Sequence, residues 1–155
     1  MSVAGHLPDL RFSLMNDLGK PVTAADFRGN RVLLYFGYTG CGLQCPLTLA
    51  RLVQLSNDEP DVRVVFVTVT PALDRPQILH AYLGQFGANL TGLTGPTADI
   101  ETLARRYRAA FPAGSGPNLP HSNIVYVFDK AGRARLLIRP EDSDLAIRHD
   151  LGRLE

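Results

Sequence analysis

The chain has 155 residues, and its 16 basic and 15 acidic side chains give a formal net charge of +1. This near balance of charge gives no support for a nucleic-acid partner or for binding to an acidic membrane surface. No run of about 18 apolar residues is present, so no segment is expected to span a bilayer. We expect one domain over residues 1–155, long enough to fold without a metal or a disulfide.

The first part of the chain predicts a hairpin followed by a central strand. Alternating apolar and polar residues over 10–14 predict a half-buried strand, and turn residues at 16–21 lead to a second short strand at 22–23. Residues 23–26 resemble the start of a helix. The near-continuous apolar run at 32–38 is typical of a central parallel strand.

The middle of the chain predicts three helices and one strong strand. Apolar residues at helical spacing predict a helix over 45–55, and the Val-rich segment 62–69 predicts a buried central strand. Two further helices are predicted over 76–86, where a proline occupies the first turn, and over 97–110.

The last part of the chain predicts a second hairpin and a final helix. Residues 113–120 are rich in glycine and proline and lack periodicity, which predicts a loop. Strands predicted at 122–128 and 135–138 flank the turn residues 129–133, and a helix is predicted over 142–151.

This order of elements predicts an α/β protein with a thioredoxin-like fold. It gives a central mixed β-sheet flanked by helices, with the first hairpin as an N-terminal β-hairpin extension. A loop that follows a central strand of such a sheet is a common place for reactive side chains.

Two cysteines, Cys41 and Cys45, occupy the loop that follows the first predicted central strand. A loop that runs into a helix N-terminus favours the thiolate, because free N–H groups and the helix dipole stabilise negative charge. Cysteines four residues apart lie on one face of a helix if it starts near the first of them. Such a pair can close a disulfide or hold one soft metal ion, and both alternatives remain open at this point.

The histidines offer one candidate partner for the cysteines. The chain contains His6, His80, His121 and His149. His6 lies near the start of the chain, and His80 and His149 lie in predicted amphipathic helices, where a solvated or packing role is expected. His121 instead opens a predicted strand after the Gly/Pro-rich loop. In a thioredoxin-like topology this loop lies beside the cysteine-bearing helix start, so His121 is expected to face the two cysteines.

Residues 36–46, F-G-Y-T-G-C-G-L-Q-C-P, resemble the F-G-Y-T-x-C-x-x-x-C-P motif of the Sco/SenC family. Residues 67–76, V-T-V-T-P-A-L-D-R-P, are similar to the family's V-D-P-x-x-D-x-P stretch, and the likeness extends to residues 121–122 and 129–132. Members of this family are thioredoxin-fold, membrane-anchored copper proteins that assist assembly of the copper A centre of cytochrome c oxidase.

The resemblance implies that Cys41, Cys45 and His121 are copper ligands. Two thiolates and an imidazole form a soft site that favours Cu(I) and tolerates Cu(II), although zinc would accept the same ligands plus water. The implied function is a copper metallochaperone that delivers the ion to the copper A site. The implied partner is cytochrome c oxidase subunit II or another copper-site protein, and the chain is expected to be a monomer.

The chain departs from the family pattern at two acidic positions. The family's aspartate before the proline is Thr70 here, and the acidic residue before the histidine is Pro120, whereas Asp74 retains the second acidic position. Fewer carboxylates near the site are expected to stabilise Cu(II) less well or to weaken docking to a basic partner.

A thiol–disulfide oxidoreductase is the alternative function. Cys41, closer to the loop, would attack a disulfide of an oxidase subunit or of a redox-signalling partner, and Cys45 would resolve the mixed disulfide. The two functions are compatible, because the reduced dithiol is the form that binds copper. A peroxidase would need an arginine beside Cys41; the motif has none, and Arg75 is the candidate to approach it.

The start of the chain and the resemblance give different information about location. Residues 1–6 lack the basic and apolar regions of a signal peptide. Composition therefore leaves open a cytosolic protein or an exported domain whose leader or anchor lies outside this sequence. The resemblance implies a bacterial periplasmic protein, with membrane association only through such an anchor.

Overall fold

A computed structural model describes residues 6–40, 44–87, 89–109 and 123–154. The strands are β1 (Ser13–Asn16), β2 (Pro21–Thr23), β3 (Arg31–Gly37), β4 (Val62–Thr68), β5 (Leu90–Thr94), β6 (Val125–Phe128) and β7 (Ala134–Ile138). The helices are α1 (Gln44–Ser56), α2 (Pro76–Leu83), α3 (Thr97–Arg106) and α4 (Asp144–Gly152), and a 3₁₀-helix covers Ala24–Phe27. No helix within these ranges is long and apolar enough to cross a membrane.

The strands form one mixed sheet in the order β2-β1-β5-β4-β3-β6-β7. Strands β3, β4 and β5 are parallel to one another and form its centre. The hairpin of β1 and β2 joins one edge through the antiparallel pairing of β1 with β5, and the hairpin of β6 and β7 joins the other side through β3. This topology confirms the predicted thioredoxin-like α/β fold with an N-terminal hairpin extension.

After Arg31, strand β3 is apolar because the sheet is covered on both faces. Successive side chains of a strand point to opposite faces. Leu33 and Tyr35 therefore pack into the cluster that includes residues of α1, α2 and α4, whereas Leu34 and Phe36 pack into the cluster that includes residues of α3. All seven residues of β3 are buried. The strand that leads into the cysteine loop is thus held rigidly from both sides.

The predicted element order lacked β5, which lies between α2 and α3. This strand reads L-T-G-L-T, so it is short, contains a glycine, and carries no continuous apolar run. Gly92 is required by packing, because a Cβ there would lie 2.9 Å from Leu83 Cδ1 and 3.2 Å from Asp17 Cβ. The glycine that weakens the strand signal is therefore the residue that lets α2 and the β1–β2 turn approach the sheet.

The first strand also differs from its prediction. Strand β1 begins at Ser13, whereas the alternating pattern predicts a strand from residue 10. Leu10 is buried, but its N–H donates to the carbonyl oxygen of Gly132 in the turn between β6 and β7. Leu10 is therefore apolar because it packs against the hairpin of β6 and β7, and not because it pairs in the sheet.

Candidate metal centre

Of the three predicted ligands, Cys45 lies within the described part of the chain, whereas Cys41 and His121 lie outside it. Cys45 is the second residue of α1 and is fully buried. Among the described residues, no group of three or more His, Cys, Asp or Glu side chains is placed to hold a metal ion. The structure therefore defines the surroundings of one predicted ligand and the elements that lead to the other two.

The sulfur of Cys45 sits against the end of β3. A Cβ added to Gly37 would lie 2.9 Å from Cys45 Sγ and 2.8 Å from Phe66 Cε1, which is too close for either neighbour. The Tyr35 hydroxyl oxygen lies 3.5 Å from the same sulfur. The glycine of the motif is thus needed so that the sulfur can lie directly on the sheet.

Tyr35 connects Cys45 to the segment that follows His121. Its hydroxyl donates to Asn123 Oδ1 at 2.8 Å, and the Thr48 hydroxyl, one turn along α1 from Cys45, donates to the same oxygen at 2.9 Å. Burial raises the pKa of Tyr35 to about 12, so the hydroxyl remains protonated, and available as a donor, at physiological pH. Sequence reasoning missed Asn123, because no local pattern distinguishes it from an ordinary residue beside a strand.

Asp74 fixes Thr39, in the segment that leads from β3 toward Cys41. Asp74 is 2% exposed, and its carboxylate accepts hydrogen bonds from the backbone N–H of Thr39 at 3.0 Å and from the Thr39 hydroxyl at 2.5 Å. Thr39 belongs to the cysteine motif. The segment before α2 thus holds the end of β3 and the start of the cysteine loop through one buried carboxylate.

Two more threonines complete the surroundings of Asp74. The hydroxyls of Thr68 and Thr70 donate to Asp74 Oδ2 at 2.7 Å and 3.0 Å. Thr70 occupies the position where the family pattern has an aspartate. A carboxylate there would face Asp74 with like charge, whereas the hydroxyl donates to it. The retained acidic residue is therefore engaged inside the fold and is not displayed to a partner.

The other described histidines lie in the environments that the sequence predicts. His80 is exposed on α2, and its Nδ1 lies 2.9 Å from Asp17 Oδ2 in the turn after β1. His149 is exposed on α4, and His6 is also exposed. Arg75, the arginine considered for a peroxidase, is the residue that precedes α2.

A thioredoxin-like sheet whose first central strand leads into a two-cysteine loop defines a class of thiol-based redox or metal-binding proteins. The SCO1/SenC family model matches residues 6–154. The chain therefore belongs to the SCO1/SenC family.

Relatives in sequence and in structure agree with this assignment. The mitochondrial SCO2 homolog of Mus musculus is 38% identical over 132 residues, which are 78% of this chain and 52% of that protein. The chain spans about half the length of the curated relatives of this kind that it matches.

Two solved structures show the same fold along most of the chain. Arabidopsis thaliana ScoI with copper bound has a TM-score of 0.83 and 30% identity, covering 92% of this chain and 94% of that one. A SCO1/SenC family lipoprotein from Bacillus anthracis has a TM-score of 0.85 and 26% identity, covering 94% of each chain.

Proposed function

We propose that this protein is a copper metallochaperone that binds one copper ion through Cys41, Cys45 and His121. The ion is its cargo, delivered to the copper A site of cytochrome c oxidase, with subunit II or another copper-site protein as the recipient. Membership of the SCO1/SenC family and the copper bound by the Arabidopsis thaliana relative support this function.

The observation that carries the proposal is the link between Cys45 and Asn123 through Tyr35. The Tyr35 hydroxyl lies within hydrogen-bond reach of both Cys45 Sγ and Asn123 Oδ1. Asn123 follows His121 by two residues, and two residues of chain span at most about 7 Å. This link supports the proposal, because only two residues of chain separate Asn123 from the predicted histidine ligand.

The donor set suits an ion that is bound and then passed on. Thiolates are soft ligands that select Cu(I), and an imidazole allows Cu(II) to be held as well. Cysteine ligands must lose their protons, so copper binding releases protons and weakens as the pH falls. A site of three protein ligands leaves room around the ion. A ligand from the recipient can therefore bind the ion before this protein releases it.

Anaerobic titration of the reduced protein with Cu(I) and with Cu(II) tests the three-ligand site. We expect one ion per chain in each case, and we expect His121→Ala to weaken Cu(II) binding by at least about 10-fold. His149→Ala removes an exposed histidine from α4 and is the matched control. Unchanged Cu(II) binding by His121→Ala would show that the proposed ligand set is wrong.

A thiol–disulfide oxidoreductase remains the second candidate, and the burial of Cys45 favours the roles assigned to the two thiols. The Cys41 thiolate would attack a partner disulfide, form a mixed disulfide and release one partner thiol. Cys45 would then attack the Cys41 sulfur, release the second partner thiol and leave the protein oxidised. Cys45→Ser should trap the mixed disulfide with a disulfide-bonded peptide, and Cys41→Ser should not; absence of a trapped species excludes this activity.

We also propose that the protein acts as a monomeric single domain in the bacterial periplasm, attached to the membrane by an anchor. The similarity to a family lipoprotein from Bacillus anthracis supports the attachment to a membrane. Fractionation of cells that express the full gene product tests the location, and light scattering of the purified chain tests the oligomeric state. Recovery in the cytosol or a stable dimer would contradict the respective statement.

A further inference from the structure

We infer that Asn123 is a positioning residue whose side-chain oxygen, held by Tyr35 and Thr48, fixes the segment after His121 onto the cysteine-bearing helix. This inference rests on the proposed function, because it concerns how well the histidine completes the copper site. Asn123 itself is not a ligand in this scheme.

The geometry of the anchor is specific. Asn123 Oδ1 accepts hydrogen bonds of 2.8 Å from Tyr35, a residue of β3, and of 2.9 Å from Thr48, a residue of α1. Tyr35 is fully buried, and both elements pack into the same core cluster. An amide oxygen held by donors from two rigid elements is fixed in position, which a single hydrogen bond to one flexible side chain would not achieve.

Asn123 is held by its side chain because its backbone lies outside the sheet. Strand β6 begins at Val125, where the pairing with Tyr35 of β3 and with Ile138 of β7 starts. The side-chain anchor therefore extends the fixed part of the chain two residues beyond the ladder, toward His121. Among the described residues that follow the histidine, the first one paired in the sheet is Val125.

The anchor also contacts the second ligand directly. Thr48 lies three residues after Cys45, on the same side of α1, and the Tyr35 hydroxyl is 3.5 Å from Cys45 Sγ. Tyr35 thus borders the sulfur and, together with Thr48, holds Asn123. Outer groups of this kind orient metal ligands, and their loss typically lowers metal affinity by about 10–100-fold.

The cleanest test uses a matched pair at one position. Thr48→Val removes the hydroxyl and keeps the shape, whereas Thr48→Ser keeps the hydroxyl. We expect Thr48→Val and Asn123→Leu to weaken Cu(II) binding about 10-fold and to diminish the nitrogen hyperfine signal of bound Cu(II) in electron paramagnetic resonance. Thr48→Ser should retain the wild-type affinity and spectrum.

A distant hydroxyl controls for general loss of stability. The Thr102 hydroxyl donates to the Ala98 carbonyl within α3, so Thr102→Val removes a comparable hydrogen bond away from the site. It should leave the copper spectrum unchanged. If Asn123→Leu does not fold, as judged by circular dichroism, the two Thr48 variants decide the question.

The outcomes separate this inference from the proposed function. A wild-type protein without a nitrogen signal, or with one that survives His121→Ala, contradicts the proposed ligand set itself. A wild-type signal that is lost in His121→Ala but unchanged in Asn123→Leu and in Thr48→Val overturns the positioning role and leaves the ligand set intact. Equal losses in Thr48→Ser and Thr48→Val also overturn it, because the hydroxyl would then be irrelevant.

Discussion

Thr39 and Asp74, which are 35 positions apart in the chain, are joined by two hydrogen bonds to one carboxylate. The backbone N–H and the hydroxyl of Thr39 each donate to a different oxygen of Asp74. This bidentate contact fixes the start of the cysteine loop to the segment that precedes α2. The position of Thr39, just ahead of Cys41 in the chain, therefore depends on a residue far from it in sequence.

The first prediction follows from that contact. Asp74→Ala should lower the free energy of unfolding by about 3 kcal/mol, because it leaves the buried N–H and hydroxyl donors around it without an acceptor. Urea denaturation followed by circular dichroism measures the loss. Asp58→Ala, at an exposed aspartate after α1, should change stability by less than about 0.5 kcal/mol. Equal effects at the two positions would refute the structural role of Asp74.

The second prediction concerns acid stability. Hydrogen bonds from Arg31 lower the pKa of Asp61 to about 2, from an ordinary value of 3.8. Because the folded pKa is depressed, this carboxylate stabilises the fold above pH 4, and its contribution disappears as the pH falls from about 4 to about 2. Because the Asp61 side chain is partly exposed to solvent, its contribution is about 1 kcal/mol.

Asp61→Asn tests this pH dependence. Its free energy of unfolding should be lower than that of the wild type at pH 6, and the difference should shrink between pH 4 and pH 2. A constant difference across that range would mean that Asp61 titrates normally in the folded protein.

The third prediction concerns the contact between β3 and Cys45. Gly37→Ala should destabilise the protein by about 1–3 kcal/mol, because the new methyl group must displace Phe66 or the Cys45 sulfur. Gly152→Ala at the end of α4 is the matched control, since a Cβ there meets nothing within 4 Å. Thermal melts of both variants measure the difference. If Gly37→Ala melts at the wild-type temperature, the sulfur does not pack against the strand in this way.

The fourth prediction compares how the removal of each of two tyrosine hydroxyls changes the free energy of unfolding. The Tyr82 hydroxyl is buried and has no hydrogen-bond partner among the described residues. Tyr82→Phe should therefore be neutral or stabilising by up to about 1 kcal/mol, whereas Tyr35→Phe should cost about 1–2 kcal/mol. Chemical denaturation of the two variants measures both effects. The reverse order of stability would contradict the hydrogen-bond assignment at Tyr35.

The parts of the fold that sequence reasoning predicts are those with strong local signals. The Val-rich run of β4 and the Asp-Lys-Ala-Gly turn between β6 and β7 carry their structure in neighbouring residues, and the observed elements agree with them. Strand β5 was missed because its glycine is explained only by Leu83 and Asp17, which approach it in three dimensions. Contacts that form only when a helix packs on a sheet cannot be recognised from the residues of one short segment.

In the candidate site, too, residues with a local sequence signal are predicted, and residues that act through distant contacts are not. The motif identifies Cys45 from adjacent residues, and the structure places it buried at the start of α1. The roles of Asn123 and Thr48 depend on contacts across 75 positions of the chain, so no local pattern reveals them. Thr70 stands where the family pattern has an aspartate, so in the sequence it is a loss of charge. In the structure its hydroxyl donates a hydrogen bond to Asp74.

Native mass spectrometry of the protein after exposure to copper tests the central claim most directly. The reduced protein should carry one copper ion per chain, and the protein oxidised before exposure should carry none, because a disulfide removes both thiolate ligands. Cys45→Ser should lose the bound ion, while His149→Ala should retain it. Copper retained equally by the oxidised and reduced protein, or by Cys45→Ser, would contradict the dithiol-based copper site.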